Sequence, residues 1–343
     1  MERLSDLEHV RRRPGMYVGD SNQRGLHHLV VELLDNVVDQ YLALRATTIR
    51  VSIDGEMLEV IDDGLGLPFD QVDDVGESLA TKYLTKFRFD APTADGHTPH
   101  VHLGGWGVGL RIVSALTATC EVSSWRNGVL WRQTFSHGEP VGPAEVVAHG
   151  DRRGTTIRLT IDRSIFPTVN WEESRVETLL KKAAYLFPGF KVETPSIEFS
   201  APSGLADWAA AHADELDDAK VHQQHALSLD HTCDDYRLQV AITGTGSRDT
   251  QWHAFANGNT SSEGGSHLEA LKLALWKRNL RPSVAMIHLT LESPRFAGPT
   301  KSKLHAPELR APICDVIMSW LDQTASLVSL PLTKRDKPNG FTP

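Results

Sequence analysis

Cysteine is scarce. Only Cys120, Cys233 and Cys314 occur in 343 residues, far apart and odd in number. That excludes a disulfide framework and a cysteine-rich zinc site, and it points to a reducing compartment. No run of about 18 apolar residues occurs, so nothing reads as a membrane span. The opening stretch, MERLSDLEHVRRRPG, is charged and has no apolar centre, so it is no signal peptide and a cytoplasmic location is expected. An excess of positive charge is also missing. With 35 Lys and Arg against 44 Asp and Glu, the net charge is -9, which argues against a chain whose main surface is a nucleic-acid clamp. Repeats and low-complexity tracts are absent. What remains is an ordinary globular composition, 40% hydrophobic and 23% charged, long enough for roughly two domains of about 150 residues each.

From Gly25 to Leu44 apolar residues recur at intervals of three and four (Leu29, Val30, Leu33, Leu34, Val37, Val38), which predicts a helix with a broad buried face. TIRVSID and MLEVID read as short strands around Asp54-Gly55. Thr81 to His102 is polar and aperiodic, and by composition it reads as a mobile loop. Strands are expected at CEVSSW, VLWRQTFS and TTIRLTI, and helices at SRVETLLKKAAYLF and LADWAAAHADEL. A second αβ pattern follows: YRLQVAIT, QWHAFANG, HLEALKLALWK and VAMIHLTL. These shifts predict an α+β chain with domains at 1–216 and 217–332 and a polar tail at 333–343.

Three elements carry chemistry. His28, Glu32 and Asn36 lie four apart and project along one helix face. A carboxylate between an imidazole and a carboxamide can activate water, and the amide oxygen suits a hard cation such as Mg²⁺. A solvent-facing polar stripe is the other reading. Asp62-Asp63-Gly64-Leu65-Gly66-Leu67-Pro68 follows a strand, where a carboxylate can accept from an exocyclic amine and glycine permits close backbone approach. Leu103-Gly104-Gly105-Trp106-Gly107-Val108-Gly109 precedes an apolar helix. Converging backbone N–H groups and a helix N-terminus make an anion cradle, while a plain flexible turn is the alternative. It is neither a P-loop nor a dinucleotide fingerprint.

Together and in this order these elements resemble the superfamily of gyrase, heat-shock chaperone, histidine kinase and MutL ATPases, and among them the B subunits of bacterial gyrase and topoisomerase IV. The stretch Arg12-Arg13-Pro14-Gly15-Met16-Tyr17-Val18-Gly19-Asp20 is similar to a signature of those subunits. Glu263-Gly264-Gly265-Ser266-His267-Leu268 and Pro299-Thr300-Lys301 resemble their transducer domain and its Gln-Thr-Lys loop. The resemblance implies a Bergerat-type (GHKL) α/β sandwich that binds ATP, followed by a smaller transducer of ribosomal-protein-like αβ fold. It implies Glu32 as general base, His28 as its orienting partner and Asn36 as the protein ligand of Mg²⁺. Asp62 and, through water, Thr155 would hold the adenine amino group, with Gly66 close to the base. Gly104, Gly105, Trp106, Gly107, Val108 and Gly109 would wrap the phosphates, and Lys301 would reach the γ-phosphate from the second domain. Arg132 matches a position bordering the nucleotide pocket.

Departures from that pattern are expected to matter. Spacing puts Pro99 and His100 where a lid tyrosine and lysine stand in the family, and Leu103 and Trp106 replace a glycine and a histidine. Leu65 and Gln40 stand where an arginine and a glutamate can pair. Few residues precede the RPGMYVGD stretch, and no metal-binding cleavage motif or strand-cleaving tyrosine motif follows, so this chain is expected not to cut DNA by itself. The resulting expectation is ATP hydrolysis that drives domain closure and homodimer formation. An ATP-gated interaction module serving a topoisomerase-type or repair partner is the alternative. DNA is an open partner, a membrane is not, and Lys272, Lys277, Arg278 and Arg281 read as solvated surface.

Overall fold

The structure, a computed structural model, describes residues 5–87, 107–215, 226–244, 249–297 and 301–325. It divides into two compact units, 1–200 and 201–343.

The first unit opens with α1 (Asp6–Arg12), capped by reciprocal bonds between Ser5 and Glu8, and α2 (Gly15–Val18). The RPGMYVGD stretch has a physical task here. Asp20 Oδ1 accepts from the N–H groups of Asn22 (3.1 Å) and Gly25 (2.8 Å), fixing the start of α3 (Gln23–Leu42). A side chain at Gly25 would run into the Asp20 carbonyl, so the turn demands glycine. α3 buries Leu26, Leu29, Val30, Leu33, Leu34, Val37 and Val38, as the periodicity predicts.

Next come β1 (Thr48–Asp54), β2 (Met57–Asp62), α4 (Leu79–Thr85) and α5 (Gly109–Leu116). β3 (Thr117–Arg126) and β4 (Val129–Ser136) form a hairpin closed by Asn127 and Gly128, at φ +51° and +78°. β5 (Glu139–Pro140), β6 (Glu145–His149), β7 (Gly154–Ile161), α6 (Glu173–Leu186), β8 (Lys191–Glu193) and β9 (Glu198–Phe199) complete the unit. The strands form one sheet in the order β5-β4-β3-β7-β2-β1-β8-β9, with β6 also paired to β4. Alternate residues such as Ile49, Val51, Leu58, Val60, Cys120, Val122, Ile157 and Leu159 are buried. The opposite face carries ion pairs, Arg158 with Glu59 (2.6 Å) and Glu121 (3.0 Å). Helices on one face and solvent on the other make a two-layer sandwich. The expected loop from Thr81 is helical at its start. Ser78 caps α4, and Thr81 donates to Gln133 at 2.8 Å in a buried polar contact that composition does not reveal.

The second unit contains α7 (Leu205–Glu215), β10 (Leu227–Thr232), β11 (Arg237–Thr243), β12 (Gln251–Ala256), β13 (Asn259–Thr260), α8 (Ser266–Lys277), β14 (Val284–Thr290) and α9 (Arg310–Ala325). Its sheet runs β10-β11-β14-β12-β13. Leu238, Val240, Ile242, Ala285, Ile287 and Leu289 share a core with Ala270, Leu271, Ala274 and Leu275 of α8 and Ile313 and Ile317 of α9. The other sheet face meets α7, where Trp208 stacks on Phe255 (5.0 Å) and His212 on His253 (4.8 Å). That face buries polar groups too: Gly258 N–H donates to His288 Nε2 (3.2 Å), so Nδ1 carries the proton and donates to Gln239 (2.9 Å). α7, placed with the first domain by the boundary expected at 216/217, therefore packs within the second unit, and the division lies at 200/201. The helical period of LADWAAAHADEL was legible; which sheet it covers was not.

Candidate active site

α3 brings three predicted residues together along one face. His28 Nε2 lies 3.1 Å from Glu32 Oε1, and Asn36 Nδ2 donates to the Glu32 main-chain oxygen at 2.9 Å. With its nitrogen so engaged, the Asn36 amide leaves Oδ1 for an outside partner, which fits a hard cation that keeps most of its water. Glu32 meets the first turn of α5. An added side chain at Gly109 would strike Glu32 Oε2 directly, so glycine there makes room for the carboxylate. α5 has no side-chain cap, and its N-cap is Val108. Gly107 precedes it at φ +66°, the left-handed region that favours glycine. Gly104, Gly105 and Trp106, like Pro99, His100 and Leu103, lie outside the described residues.

Asp62 ends β2. Its Oδ1 accepts from the N–H groups of Gly64 (2.8 Å) and Thr155 (3.3 Å). Burial pushes the carboxyl up to about 6, outweighing the lowering effect of those two amides. Gly154, at φ +116°, lies so close to the Asp62 carbonyl that only glycine lets β7 deliver Thr155. Gly66, at φ +80°, packs against the Trp125 carbonyl and Ser124 Oγ, so the turn and strand β3 already account for glycine there.

Asn36, Asp62, Gly66 and Thr155 line a cleft of about 790 Å³, counting space open to solvent, while His28 and Glu32 are not among its lining residues. Leu33, Val60, Tyr83, Leu110 and Ile157 supply apolar walls around Asn36, Asp62, Gly66 and Thr155. Gln40 and Leu65, two of the residues that depart from the family pattern, both line it. Arg132 does not line it; it is exposed on β4, with Nε 3.3 Å from Ser123 Oγ. Arg126, for which no role was expected, takes a place in the wall: it is 8% exposed and donates to the Gly66 carbonyl at 3.1 Å. Its only sequence signal is position, directly before an Asn-Gly hairpin turn. An apolar slot with a few converging polar groups and a carboxyl of raised pKa is the usual form of a small-molecule site.

Residues 21–165 match the family described as "Histidine kinase-, DNA gyrase B-, and HSP90-like ATPase". They are a domain of that family. Over 94% of its length the chain is 30% identical to the B subunit of DNA topoisomerase 4 from Caulobacter vibrioides, and over 96% it is 30% identical to the B subunit of DNA gyrase from Thermotoga maritima. It spans 52% and 58% of those two proteins, little more than half. Among solved structures, the 43K ATPase domain of Thermus thermophilus gyrase B, in complex with an aminocoumarin, is 26% identical with a TM-score of 0.73, covering 93% of this chain and 91% of that one. The B-subunit of the DNA gyrase from Myxococcus xanthus shares the fold at a TM-score of 0.79 and 24% identity, over 93% and 95% of the two chains. The homology thus reaches beyond the ATPase domain into the second unit. No helix among the described residues is long and apolar enough to cross a membrane.

Lys301 belongs to the second unit, at φ +55°. Its neighbours are tightly fastened. Ala297 N–H donates to the Lys303 carbonyl (2.9 Å), Glu263 N–H to the Ser302 carbonyl (2.9 Å), and Ser302 Oγ to Glu263 (2.6 Å). Leu304 bridges both Phe296 and Gly265. The Glu-Gly-Gly-Ser-His stretch is thus the brace of the Lys301 loop.

Proposed function

We propose that the cleft binds ATP and that Glu32 activates water for its hydrolysis. The observation that carries this is the Glu32 carboxylate, paired to His28 and set against the uncapped start of α5, with Asn36 one turn on, lining the same cleft as Asp62. Asp62, with Thr155 beside it, accepts the adenine amino group, and the apolar walls cover the base. Gly66 lies beside the base. Amides at Gly107, Val108 and Gly109 face the phosphates, joined by those of Gly104, Gly105 and Trp106. Glu32 takes a proton from the attacking water as its oxygen bonds to the γ-phosphorus, the bond to the bridging oxygen breaks, and ADP leaves with the electron pair. Mg²⁺, when bound through Asn36, neutralises phosphate charge. Lys301 supplies a second cation for the γ-phosphate.

The relatives' names add a wider proposal: turnover coupled to closure of the two units and to homodimer formation, in the service of a topoisomerase-type partner subunit acting on DNA. The test is phosphate release with MgATP over a range of protein concentrations, for wild type and Glu32→Ala. Turnover that rises more than linearly with concentration and falls at least about 100-fold in the variant, with nucleotide still bound, supports the reading. Nucleotide binding without turnover in the wild type overturns hydrolysis and leaves an ATP-gated interaction module.

A further inference from the structure

The buried face of β3 ends in polar residues. Cys120 and Val122 lie in the core, and the next two residues on that face are Ser124 and Arg126, at 0% and 8% exposure. Burying a guanidinium is costly unless its donors are met, and an apolar side chain would cover a sheet face as well. What these two side chains hold is the turn at 64–68. Ser124 Oγ donates to the Leu67 carbonyl (2.9 Å) and Arg126 Nη1 to the Gly66 carbonyl (3.1 Å). Arg126 Nε lies 3.2 Å from Asp70 Oδ1, and Asp70 Oδ2 accepts from Asn127 at 2.6 Å, so the β3–β4 hairpin fixes the anchor from its other side.

The turn so held has two tasks. It supplies Leu65, Gly66, Leu67 and Pro68 to the wall of the cleft. Its first residue, Gly64, donates to Asp62 Oδ1 at 2.8 Å and so orients the carboxylate. Arg126 itself lines the cleft, and Asp70 does not. We infer that Arg126 is a positioning residue for the nucleobase: it locks the turn at 64–68 against β3 and thereby keeps the Asp62 carboxylate where it distinguishes a base with an exocyclic amine from one without. This rests on the ATP reading of the cleft. It bears on the base alone, since the groups assigned to the phosphates stand on α3 and α5.

The experiment is calorimetric binding of ADP, and of inosine diphosphate with a carbonyl in place of the amino group, to the full chain with Mg²⁺. Wild type, Arg126→Met, Arg126→Lys and Asp70→Ala are compared, with thermal melting of each as the check on folding. ADP should bind about tenfold more weakly to Arg126→Met while inosine diphosphate is little changed, so the preference for ADP shrinks by the same factor. Arg126→Lys recovers part of that preference, because an ammonium lacks the fork that serves both partners. Phosphate release at saturating ATP stays within about twofold of wild type. Variants that melt earlier but keep the wild-type preference overturn the inference and leave Arg126 a purely structural residue. Should Arg126→Met fail to fold, Asp70→Ala decides: it lies outside the cleft lining, so a reduced preference comes through Arg126, and an unchanged one overturns the inference. Wild type that binds both diphosphates equally overturns it while leaving a nucleotide site in place. Wild type that binds no ADP overturns the reading of the cleft itself, and this inference with it.

Discussion

Each unit contains a helix that begins within two residues of a glycine at positive φ and lacks a side-chain cap, α5 after Gly107 and Val108 and α8 after Gly265. Locally the two are alike, and their surroundings part them. At α5 the space that glycine leaves admits the Glu32 carboxylate, the end of a flexible side chain. At α8 it admits backbone: Gly265, at φ +136°, lies against the Leu304 main chain, whose carbonyl accepts from Ser266 N–H at 3.2 Å. One helix start is kept for chemistry, and the other is filled by the chain itself to fasten the Lys301 loop. A glycine turn before a helix thus marks close approach without saying what approaches.

The same substitution at both turns should separate them. Gly265→Ala sets a methyl group against rigid backbone at a strained φ, and we expect a loss of about 2–4 kcal/mol, read as a lower denaturant midpoint with unchanged slope. A variant as stable as wild type would mean that the Leu304 bridge is loose. Gly109→Ala meets only a movable carboxylate and gains helix propensity, so stability should hold or rise by up to about 1 kcal/mol. Phosphate release should nevertheless fall about tenfold to 100-fold as Glu32 is pushed aside. If turnover survives, Glu32 does not act from the position described.

Acid should divide the units by sign as well. His267 is fully buried on α8, and burial pushes its imidazole down to about 4 from an ordinary 6.5. Its folded pKa lies below its unfolded one, so the unfolded chain takes up the proton first. The second unit then loses stability as pH falls from about 6.5 towards 4, by roughly 3 kcal/mol in all. Asp62 runs the other way. Raised to about 6 from 3.8, it takes up a proton in the folded state first, so its contribution to the first unit grows as pH falls from 6 towards 4. Denaturant titrations from pH 7 to pH 4 of wild type against Asp62→Asn and His267→Gln should show these two contributions with opposed slopes; parallel slopes would break the contrast. The smallest expected effect lies in the cleft. If adenine requires the ionised carboxylate, nucleotide affinity at pH 5 should be about tenfold weaker than at pH 7, and Asp62→Asn should abolish that dependence.

Much of this was legible because it is local. Periodicity placed α3, and spacing alone put His28, Glu32 and Asn36 on one face, where the structure keeps them. Strand β4 falls on VLWRQTFS residue for residue. What escaped was set by partners distant in sequence. Arg126 enters the cleft wall because β3 ends beside the turn containing Gly66, 60 residues earlier, and Arg132 points elsewhere because of its pairing register with Ser123. The helix at Thr81 depends on a bond to Gln133, 52 residues on, while the polar composition around it suggests a loop. The membership of α7 rests on Trp208 and His212 finding Phe255 and His253, and no window of sequence contains both pairs.

That last feature bears on how the two units can be inherited or recombined. A break at 216 would hand the second unit on without the helix whose Trp208 and His212 cover Phe255 and His253, leaving the polar face of β11 and β14, with Gln239 and His288, open to water. A break at 200 carries that helix along with the sheet it shelters. If the second half of this chain has ever travelled between genes as a module, the viable seam lies before Leu205, inside what reads from sequence as the tail of its neighbour.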